Sequence, residues 1–287
     1  MKINTDKQKI NELLTRGVEN IYPSSAFLEK ELSSGRQLTL YTGYDPTAAT
    51  LHIGHGITLM KLRQFQDLGH KIIFLIGDFT GMIGDPSDKL AARQPLTHEQ
   101  VMGNCREYKK QASAILNFSG QNPVQLAYNS QWLGEMKLKE VLDLTSLFTV
   151  QQMEARDMFQ QRMKEGKPVF IHEFLYPLMQ AYDSVAMDVD GEVGGNDQTF
   201  NMLVGRDLMK IKKNKEKFVL TMKLLADPTG KKMGKSEGNM VALNDAPEDM
   251  FGKVMSWADS MIINGFELCT KVSTEEISEL AKSLKKG

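Results

Sequence analysis

The apolar positions of this chain follow two kinds of pattern, helical spacing and short continuous runs. Residues 53–68 carry apolar side chains at helical spacing, which predicts a helix that starts near His52 and stops at Gly69. The next stretch, Lys71–Ile76, is an almost continuous apolar run of the kind found in strands buried on both faces. Further strands are predicted at Leu38–Tyr41, Val124–Tyr128, Asp188–Val193 and Phe218–Leu220. Strands alternating with helices predict an α/β fold with a Rossmann-like parallel sheet.

The other patterned stretches predict helices. Thr97, with Glu99 behind it, is typical of a residue that caps a helix, here one reaching about Asn117. Pro177 fits only the first turn of a helix, so the next long helix is predicted to begin near Tyr176. The remaining helices are predicted as two short ones within residues 7–33, a Met- and Phe-rich set over residues 135–165, one over Asp197–Met209 and a helical region from Pro247 onward.

The composition is that of an ordinary soluble protein, with 287 residues, 41% of them hydrophobic, and a net charge of −1. Such a charge excludes a general basic field that would attract nucleic acid. No apolar run reaches the ~18 residues of a membrane span, and the polar start MKINTDKQKINELL is unlike a signal peptide. Cys105 and Cys269 lie far apart, which predicts reduced thiols in a cytoplasmic protein.

Two imidazoles lie three residues apart in the motif LHIGH, where the pattern changes to a helix. His52 and His55 would share one face of the first turn, where unpaired N–H groups and the helix dipole favour an anion. Gly54 would let a nucleotide approach the backbone closely. A bare HxGH pattern more often marks a helix cap beside a solvated histidine. The preceding GYDPT motif favours the nucleotide site.

A second cationic cluster lies in the motif KKMGKS. Three lysines in residues 231–235 follow a DPTG turn and suit a loop that neutralises charge developing on pyrophosphate. Gly230 and Gly234 are one residue too close for a Walker A phosphate loop, and no long helix is predicted to follow. Taken alone, this loop would be read as a solvated turn. Lys89 and Arg93, after the IGDPS motif, either add cations to the phosphate site or are surface charges.

Polar residues also form one stripe on an otherwise apolar helix. Tyr176, Gln180 and Asp183 fall at positions i, i+4 and i+7. Burying such groups without partners is costly, so the stripe indicates either a ligand pocket or a set of internal hydrogen bonds. The motif GGNDQ at residues 194–198 follows a strand, so its glycines permit a close ligand and Asp197 could reach a ribose.

The motifs YTGYDPT, LHIGH, IGDPS, YPLMQAYDSVAM, GGNDQ and KKMGKS occur in this order. With them the chain resembles the bacterial tyrosyl-tRNA synthetases, members of the class I aminoacyl-tRNA synthetases, from about residue 30 onward. The LHIGH and KKMGKS motifs correspond to the HIGH and KMSKS signatures of that class. Tyr41 with Asp183 favours tyrosine over the tryptophan of the sibling family, because a phenol hydroxyl needs one donor and one acceptor.

The resemblance implies a tyrosine–tRNA ligase that uses ATP with Mg²⁺, forms tyrosyl-adenylate and transfers tyrosine to tRNA(Tyr). The implied catalytic residues are Thr47, His52, His55, Lys89, Arg93, Lys232 and Lys235. The implied tyrosine-binding residues are Tyr41, Asp85, Tyr176, Gln180, Asp183 and Gln198. The implied ATP-binding residues are Thr42, Gly43, Asp45, His52, Gly54, His55, Thr58, Gly195, Asp197, Lys232 and Lys235. No structural metal is expected. Strong rejection of phenylalanine is a known property of these enzymes, and the resemblance alone implies it for this chain.

The resemblance also implies a catalytic domain over residues 1–240, with a helical insertion at about 130–175, and the start of an α-helical anticodon-side domain over 241–287. Family members are homodimers, and the apolar stretch at residues 144–178 is the candidate surface, unless it is a core helix pair. Gly234 stands where the commoner motif has serine. The sequence stops at Gly287, inside the expected helical region, so we expect part of the tRNA surface to be missing and transfer to be impaired.

Two other functions fit part of the pattern. A cofactor-pathway nucleotidyltransferase would share the HxGH motif but would not account for the Tyr176, Gln180 and Asp183 stripe together with Tyr41. A synthetase-like binding module without catalysis would be favoured by loss of His52 or Lys235, and both are present.

Overall fold

The computed structural model describes residues 2–86, 95–227 and 240–284. Within these residues six strands form one sheet in the order β1-β6-β5-β2-β3-β4. The strands are β1 (Val18–Tyr22), β2 (Thr39–Tyr44), β3 (Lys71–Ile76), β4 (Gln125–Tyr128), β5 (Gly191–Gly195) and β6 (Phe218–Met222). All neighbouring strands run parallel except β1 and β6, which are antiparallel. The predicted α/β class is confirmed, with a sheet that is mixed rather than purely parallel.

Helices separate successive parallel strands, as parallel pairing requires. Those in the described ranges are α1 (Lys7–Thr15), α2 (Ser25–Ser33), α3 (Ile53–Asp67), α4 (Thr80–Ile83), α5 (His98–Cys105), α6 (Tyr108–Ala112), α7 (Ser130–Leu133), α8 (Leu138–Thr145), α9 (Val150–Glu154), α10 (Asp157–Lys164), α11 (Ile171–Ala186), α12 (Thr199–Lys213), α13 (Pro247–Met255), α14 (Ile262–Cys269) and α15 (Thr274–Leu284). Short 3₁₀ turns cover Asn196–Gln198 and Asp259–Met261.

The N-terminal segment differs from its prediction as two helices, because β1 lies between α1 and α2. Gly17 ends the first helix with a φ of +64°, a conformation that side-chain-bearing residues rarely adopt. β1 then pairs with β6, and the amide of Asn20 donates to Thr221 Oγ1 at 3.0 Å. The prediction was wrong here because the pairing partner of a five-residue strand lies 201 positions away along the chain.

The start of α11 was also predicted wrongly. The helix begins at Ile171 and carries Pro177 inside it. Glu173 anchors the turns before the proline, since it accepts from the Phe170 amide at 2.8 Å and forms a buried ion pair with Arg162. These side-chain contacts hold the segment helical, although Pro177 itself has no N–H to donate to the helix.

Two further element boundaries differ from those predicted from the sequence. The helix predicted from Thr97 to about Asn117 is divided into α5 and α6. The fifth strand begins at Gly191 rather than at Asp188, which takes a φ of +48° incompatible with a strand. The strand boundary follows from the turn of the backbone at Asp188, and the helix is interrupted at residues 106–107, which lie between α5 and α6.

Apolar side chains pack on both faces of the sheet. The main core includes Leu13 of α1, Phe65 of α3 and Leu220 of β6. A second cluster joins α8, α9, α11 and α12 through residues such as Leu144 and Leu178. Much of the stretch at residues 144–178 is therefore internal packing, as the core-helix alternative predicted.

The C-terminal helices pack against the start of the chain. Arg16 donates to the carbonyl oxygens of Glu267 at 3.1 Å and Thr270 at 2.8 Å, and Leu268 belongs to the main core. The division into domains at residue 240 stays a prediction. In the part of the chain that the structure describes, no helix is long and apolar enough to cross a membrane.

Candidate active site

Most of the polar side chains singled out in the sequence lie near the carboxyl edge of the parallel sheet. Asp45 follows β2, Gly77 follows β3, and Asn196 follows β5. The helix α11 contributes Tyr176, Gln180 and Asp183 from one face, as their spacing predicted, and all three join hydrogen-bond networks. Ligands of open α/β sheets bind at this edge.

The first network, here called the Asp183 network, consists of Tyr176, Asp45, Thr80, Asn129 and Asp183. The Tyr176 hydroxyl donates to Asp45 Oδ2 at 2.8 Å, and the Thr80 hydroxyl donates to Asp45 Oδ1 at 2.7 Å. Asn129 Nδ2 donates to Thr80 Oγ1 at 2.9 Å and to Asp183 Oδ2 at 3.3 Å. Residues from four separate elements are thereby linked in one continuous path.

Asp183 lies at the deep end of this network. It is 2% exposed, and its Oδ1 accepts from Trp132 Nε1 at 2.7 Å. Burial raises the pKa of Asp183 well above its ordinary value, although the hydrogen bonds from Trp132 and Asn129 oppose that shift. The carboxylate is thus fixed in place by two donors and can accept a further hydrogen bond.

Tyr176 lies among carboxylates. Burial raises its pKa well above the ordinary value, and the charges of Asp45, Asp85 and Asp183 raise it further. A concentration of negative charge around a buried hydroxyl suits a bound ammonium group, which donates hydrogen bonds and carries the opposite charge.

Gly77 makes the Asp183 network possible. A Cβ at this position would lie 2.0 Å from Asp45 Oδ1 and 2.5 Å from Thr80 Oγ1. The glycine therefore lets the Asp45 carboxylate approach the backbone at the end of β3, close enough for Thr80 to reach it.

The second network, here called the Lys217 network, consists of Tyr41, Ser184, Lys217, Glu192 and Gln180. The Tyr41 hydroxyl lies 2.9 Å from Ser184 Oγ, which accepts from Lys217 Nζ at 2.9 Å. Lys217 forms an ion pair with Glu192, and both side chains are buried. Glu192 Oε1 accepts from Gln180 Nε2 at 3.0 Å.

The electrostatics of this second network follow from burial. Burial raises the pKa of Tyr41 well above its ordinary value, and the charges of Glu192 and Asp183 add to the shift. Burial lowers the pKa of Lys217, which the Glu192 carboxylate opposes. Tyr41 packs in one apolar cluster with Trp132, which donates to Asp183, so the two predicted hydroxyl-binding residues lie near each other.

The Lys217 network continues to Asp85 through two amides. Asn201 Nδ2 donates to Gln180 Oε1 and to Gln198 Oε1, both at 3.0 Å. Gln198 Nε2 donates to Asp85 Oδ2 at 2.6 Å, and Arg156 lies 3.5 Å from Asp85. All six of the predicted tyrosine-binding residues thus belong to one of the two networks or to this continuation.

The two histidines are held by local contacts. His52 caps α3, since its Nδ1 accepts from the Gly54 amide at 3.1 Å, and His55 Nδ1 accepts from the His52 amide at 3.0 Å. Their ring centroids lie 3.9 Å apart. Because each Nδ1 accepts, a neutral ring at either position carries its hydrogen on Nε2.

The segment that follows KKMGKS returns to these histidines. The Ile53 amide donates to the Val241 carbonyl and the Leu243 amide to the Leu51 carbonyl, both at 2.9 Å. His52 and Ala242 thereby form an antiparallel bridge. The residues on the C-terminal side of the lysine motif are therefore fixed beside the LHIGH motif.

The other predicted nucleotide residues occupy varied positions. Thr47 and Gly43 are exposed, whereas the Thr42 hydroxyl donates to the Val193 carbonyl at 2.7 Å and is buried. Thr58 is also buried, with its hydroxyl donating to the His55 carbonyl at 2.9 Å. Both hydroxyls donate to internal carbonyl oxygens, so neither Thr42 nor Thr58 presents its hydroxyl at the surface of the site.

Gly195 and Asp197 lie at the end of β5, as predicted. A Cβ on Gly195 would lie 2.5 Å from Asp197 Oδ1, so the glycine makes room for that carboxylate. Four predicted cations, Lys89, Arg93, Lys232 and Lys235, lie outside the described residues. Among the described residues, no group of three or more His, Cys, Asp or Glu side chains could hold a metal ion.

Comparison with known proteins identifies the chain. The family model described as tRNA synthetases class I (W and Y) matches residues 33–287. A tyrosine–tRNA ligase of Haemophilus ducreyi is 46% identical over 275 residues, covering 96% of this chain and 68% of that protein. This chain belongs to the class I tyrosyl-tRNA synthetases.

Other relatives agree with this family. A tyrosine–tRNA ligase of Nitratidesulfovibrio vulgaris is 46% identical over 286 residues, covering 99% of this chain and 70% of that protein. A C-terminally truncated mitochondrial tyrosyl-tRNA synthetase of Coccidioides posadasii has a similar structure, with a TM-score of 0.77 and 26% identity over 98% of this chain and 83% of that one. The resemblance inferred from the motifs is confirmed, and the nucleotidyltransferase alternative is excluded.

Several residues of these hydrogen-bond networks were missed in the sequence. They are Thr80, Asn129, Trp132, Ser184, Glu192, Asn201 and Lys217. Asn129 could have been found, because it directly follows β4 at the carboxyl edge. Lys217 gave no signal, since a lysine beside a strand usually lies at the surface.

Proposed function

We propose that this chain catalyses the two-step reaction of its family, with L-tyrosine and ATP as the first substrates. The tyrosine carboxylate attacks the α-phosphate of ATP, and the bond to the β-phosphate breaks to release pyrophosphate. Tyrosine is then transferred from the adenylate to tRNA(Tyr). Mg²⁺ enters bound to ATP, and we place the reaction in the cytoplasm, where bacterial tRNA is charged.

The pairing of the two networks supports tyrosine as the substrate. At the deep end, Tyr41 supplies a hydroxyl and Asp183 a carboxylate within one buried region. At the outer end, Tyr176 lies near the carboxylates of Asp45 and Asp85. A ligand with a phenol at one end and an ammonium at the other matches this arrangement, with Asp85, Tyr176 and Gln180 around the ammonium.

The histidine side of the site suits the nucleotide. His52 and His55 lie at the start of α3, where the positive end of the helix dipole favours an anion. We assign them, with Thr47, Lys89, Arg93, Lys232 and Lys235, to the phosphates. Gly43, Asp45, Gly54, Gly195 and Asp197 would surround the nucleotide, while Thr42 and Thr58 support it from behind. The protein contributes position and charge rather than a nucleophile.

Pyrophosphate exchange tests the activation step. The protein should exchange labelled pyrophosphate into ATP with tyrosine and hardly at all with tryptophan or phenylalanine, because only tyrosine satisfies both Tyr41 and Asp183. Each amino acid is assayed on one preparation at the same concentration. Equal rates with tryptophan would contradict the pocket assignment, and no exchange with any amino acid would favour a binding module.

For the second step, we propose that residues 1–287 alone transfer tyrosine poorly. The chain spans 68–70% of the length of the curated relatives above. In the family, the remaining length contacts the anticodon arm, and affinity for nucleic acid depends on the number of phosphates contacted. Measuring exchange and aminoacylation on one preparation tests this proposal, and efficient charging at low enzyme concentration would refute it.

We also propose a homodimer, built on the side chains of residues 144–178 that internal packing leaves exposed, together with Leu138 and Leu142 just before them. Leu138, Leu142, Val150 and Ile171 are 74%, 58%, 62% and 80% exposed. Covering such side chains would contribute apolar burial to association. Light scattering of the protein and of an Ile171→Lys variant tests the proposal, since the variant should shift toward monomer. A monomeric parent protein would contradict it.

A further inference from the structure

Lys217 is a buried cation that the proposed reaction does not use. Its side chain is fully buried, and its Nζ lies 5.8 Å from the centre of the Tyr41 ring. The ammonium contacts Ser184 Oγ and the Glu192 carboxylate. Removing a charge from water in this way is costly. The packing of the sheet therefore does not by itself account for this ion pair.

The space for this cation is also specific. A Cβ on Gly205 of α12 would lie 2.7 Å from Lys217 Nζ and 3.2 Å from Ser184 Oγ. The nearest backbone atom of the facing helix, the Cα of Ala181, would lie 3.5 Å away. A glycine on α12 thus opens the contact between α11 and α12 just where the ammonium lies.

At the phenol end, Lys217 restricts the direction of the hydrogen bonds. An ammonium group only donates, so Ser184 Oγ must accept from it. Ser184 then has its own hydrogen to give to the Tyr41 oxygen, 2.9 Å away. Tyr41 keeps its hydroxyl hydrogen for another acceptor, which in this structure is the backbone carbonyl oxygen of Gln180 at 3.5 Å, a long contact that a substrate phenol would replace. In that arrangement Tyr41 is the donor to a substrate phenol, and Asp183 is left as the acceptor.

At the ammonium end, the same ion pair orients Gln180. A carboxylate only accepts, so Glu192 requires the amide nitrogen of Gln180 to face it, as the 3.0 Å contact shows. The amide oxygen of Gln180 therefore faces the other way and accepts from Asn201 at 3.0 Å. A carbonyl oxygen can accept twice, so one position remains for the ammonium of an amino acid.

We infer that Lys217 and Glu192 are positioning residues that set the hydrogen-bond direction at both ends of the tyrosine pocket, through Ser184 and Tyr41 on one side and through Gln180 on the other. The inference rests on the proposed function, because it takes tyrosine as the ligand. It adds selectivity to the role of the pair: the phenol end should discriminate tyrosine from phenylalanine, and the ammonium end should discriminate tyrosine from desamino-tyrosine.

Three variants test the inference without leaving a buried charge unpaired. Ser184→Ala removes the link to Tyr41, Gly205→Ala displaces Lys217 while keeping every hydrogen-bonding group, and the double variant Lys217→Met with Glu192→Gln removes both charges. Matched controls are Gly252→Ala on α13, where a Cβ would contact nothing within 4 Å, and Lys61→Met, which removes another buried lysine. The concentration of active enzyme in each preparation is determined from the amount of adenylate that it forms in an active-site titration.

The decisive measurement is the ratio of kcat/KM for phenylalanine to that for tyrosine in pyrophosphate exchange. Ser184→Ala and Gly205→Ala should raise this ratio roughly three- to tenfold, as expected for one hydrogen bond to substrate, while the KM for ATP stays unchanged. The double variant should raise the ratio too. It should also raise the Kd for tyrosine more than the Kd for desamino-tyrosine. Both controls should keep the ratio of the parent protein.

The outcomes separate the inference from the proposed function. If the parent protein exchanges with tyrosine but the three variants only lose thermal stability, with both selectivities unchanged, Lys217 and Glu192 are structural and the inference is wrong. If the parent protein does not exchange with tyrosine, the proposed function fails and the inference fails with it. A changed ratio in the controls would likewise refute it, because selectivity would then follow general stability.

Discussion

The proposed tyrosine end and the proposed phosphate end of the site are built in different ways. Asp183 and Tyr41 are held by residues that lie far apart in the sequence. Those residues belong to α7, α11, β5 and the position just before β6. His52 and His55 are held by each other and by the amide of Gly54. The first arrangement depends on contacts between distant segments, whereas the two histidines contact each other within one helical turn and reach a distant segment through the backbone bridge to Ala242.

This difference affects how each end should respond to change. A substitution in the tyrosine end breaks a network of buried groups, so it should alter substrate choice and stability together. A substitution in the phosphate end removes a half-exposed side chain, so it should alter rate with little effect on tyrosine binding. The following predictions are arranged by expected size.

The largest effect is expected at His52. His52→Ala should lower the rate of adenylate formation by roughly 10²-fold or more, because a donor to the leaving pyrophosphate is lost. The KM for tyrosine should hardly change. Lys235→Ala should behave in the same way. Presteady-state measurement of adenylate formation gives the rate.

His52 also caps a helix, so two further variants separate the roles. His52→Asn keeps an acceptor for the Gly54 amide and should restore most of the thermal stability without restoring the rate. His98→Ala, at the exposed start of α5, is the matched histidine control. A loss confined to tyrosine binding in His52→Ala would show that the two ends are not separate.

Next in size is a pair of glycine substitutions, one at each end. Gly77→Ala places a Cβ against Asp45, which two hydrogen bonds hold, and should cost about 1–3 kcal/mol of unfolding free energy. Gly54→Ala meets only the His52 ring, at 2.9 Å. It should therefore cost less stability and raise the KM for ATP instead. Chemical denaturation gives the unfolding free energies, and kinetic assays give the KM for tyrosine and the KM for ATP. Equal losses of stability in the two variants would contradict the difference between the two ends.

A smaller effect is expected for Tyr41→Phe. The variant lacks the donor to the substrate phenol, so selectivity for tyrosine over phenylalanine should fall about tenfold. Tyr108→Phe is the control, since that buried hydroxyl donates to the Ala48 carbonyl at 2.6 Å, outside both networks. If Tyr41→Phe leaves this selectivity unchanged, Tyr41 does not donate to the substrate phenol.

The smallest effect concerns pH. Burial raises the pKa of Asp183 above 3.8, so the folded protein keeps this proton at pH values where the unfolded chain has lost it. Raising the pH through that window therefore lowers the free energy of unfolding. A phenol that donates to Asp183 needs the deprotonated form, so the KM for tyrosine should rise as pH falls, by at most about tenfold per unit.

The same pH series contains its own controls. The KM for ATP should not follow this trend, because the phosphate end does not involve Asp183. Asp183→Asn should show a high KM for tyrosine that does not depend on pH in this window. A parent protein whose KM for tyrosine is independent of pH down to the range of an ordinary aspartate would contradict the role given to Asp183.

The contrast between the two ends also explains what the sequence could reveal. The positions of His52, His55 and Gly54 follow from local spacing, and the stripe of Tyr176, Gln180 and Asp183 follows from the helical repeat. Both were therefore predictable. The strand order placed these groups at one edge of the sheet, which parallel topology requires.

What the sequence could not reveal depends on contacts between distant residues. Trp132 and Lys217 join these networks only because α7 and β6 lie beside α11 in the fold. β1 was missed for the same reason, and Pro177 lies within a helix because Glu173 and Arg162 hold the preceding turns. Local propensity carries none of this information.

The antiparallel pairing of β1 with β6 has a consequence for how the protein is made. The first strand emerges from the ribosome early, but its partner Thr221 follows 201 positions later, and the carbonyl of Thr270 that Arg16 binds follows 254 positions later. At typical synthesis rates this is a delay of roughly 10–50 s. Residues 16–22 are thus fixed long after they are synthesised, and Ile21, half-buried against the core in the folded protein, stays exposed to solvent until then.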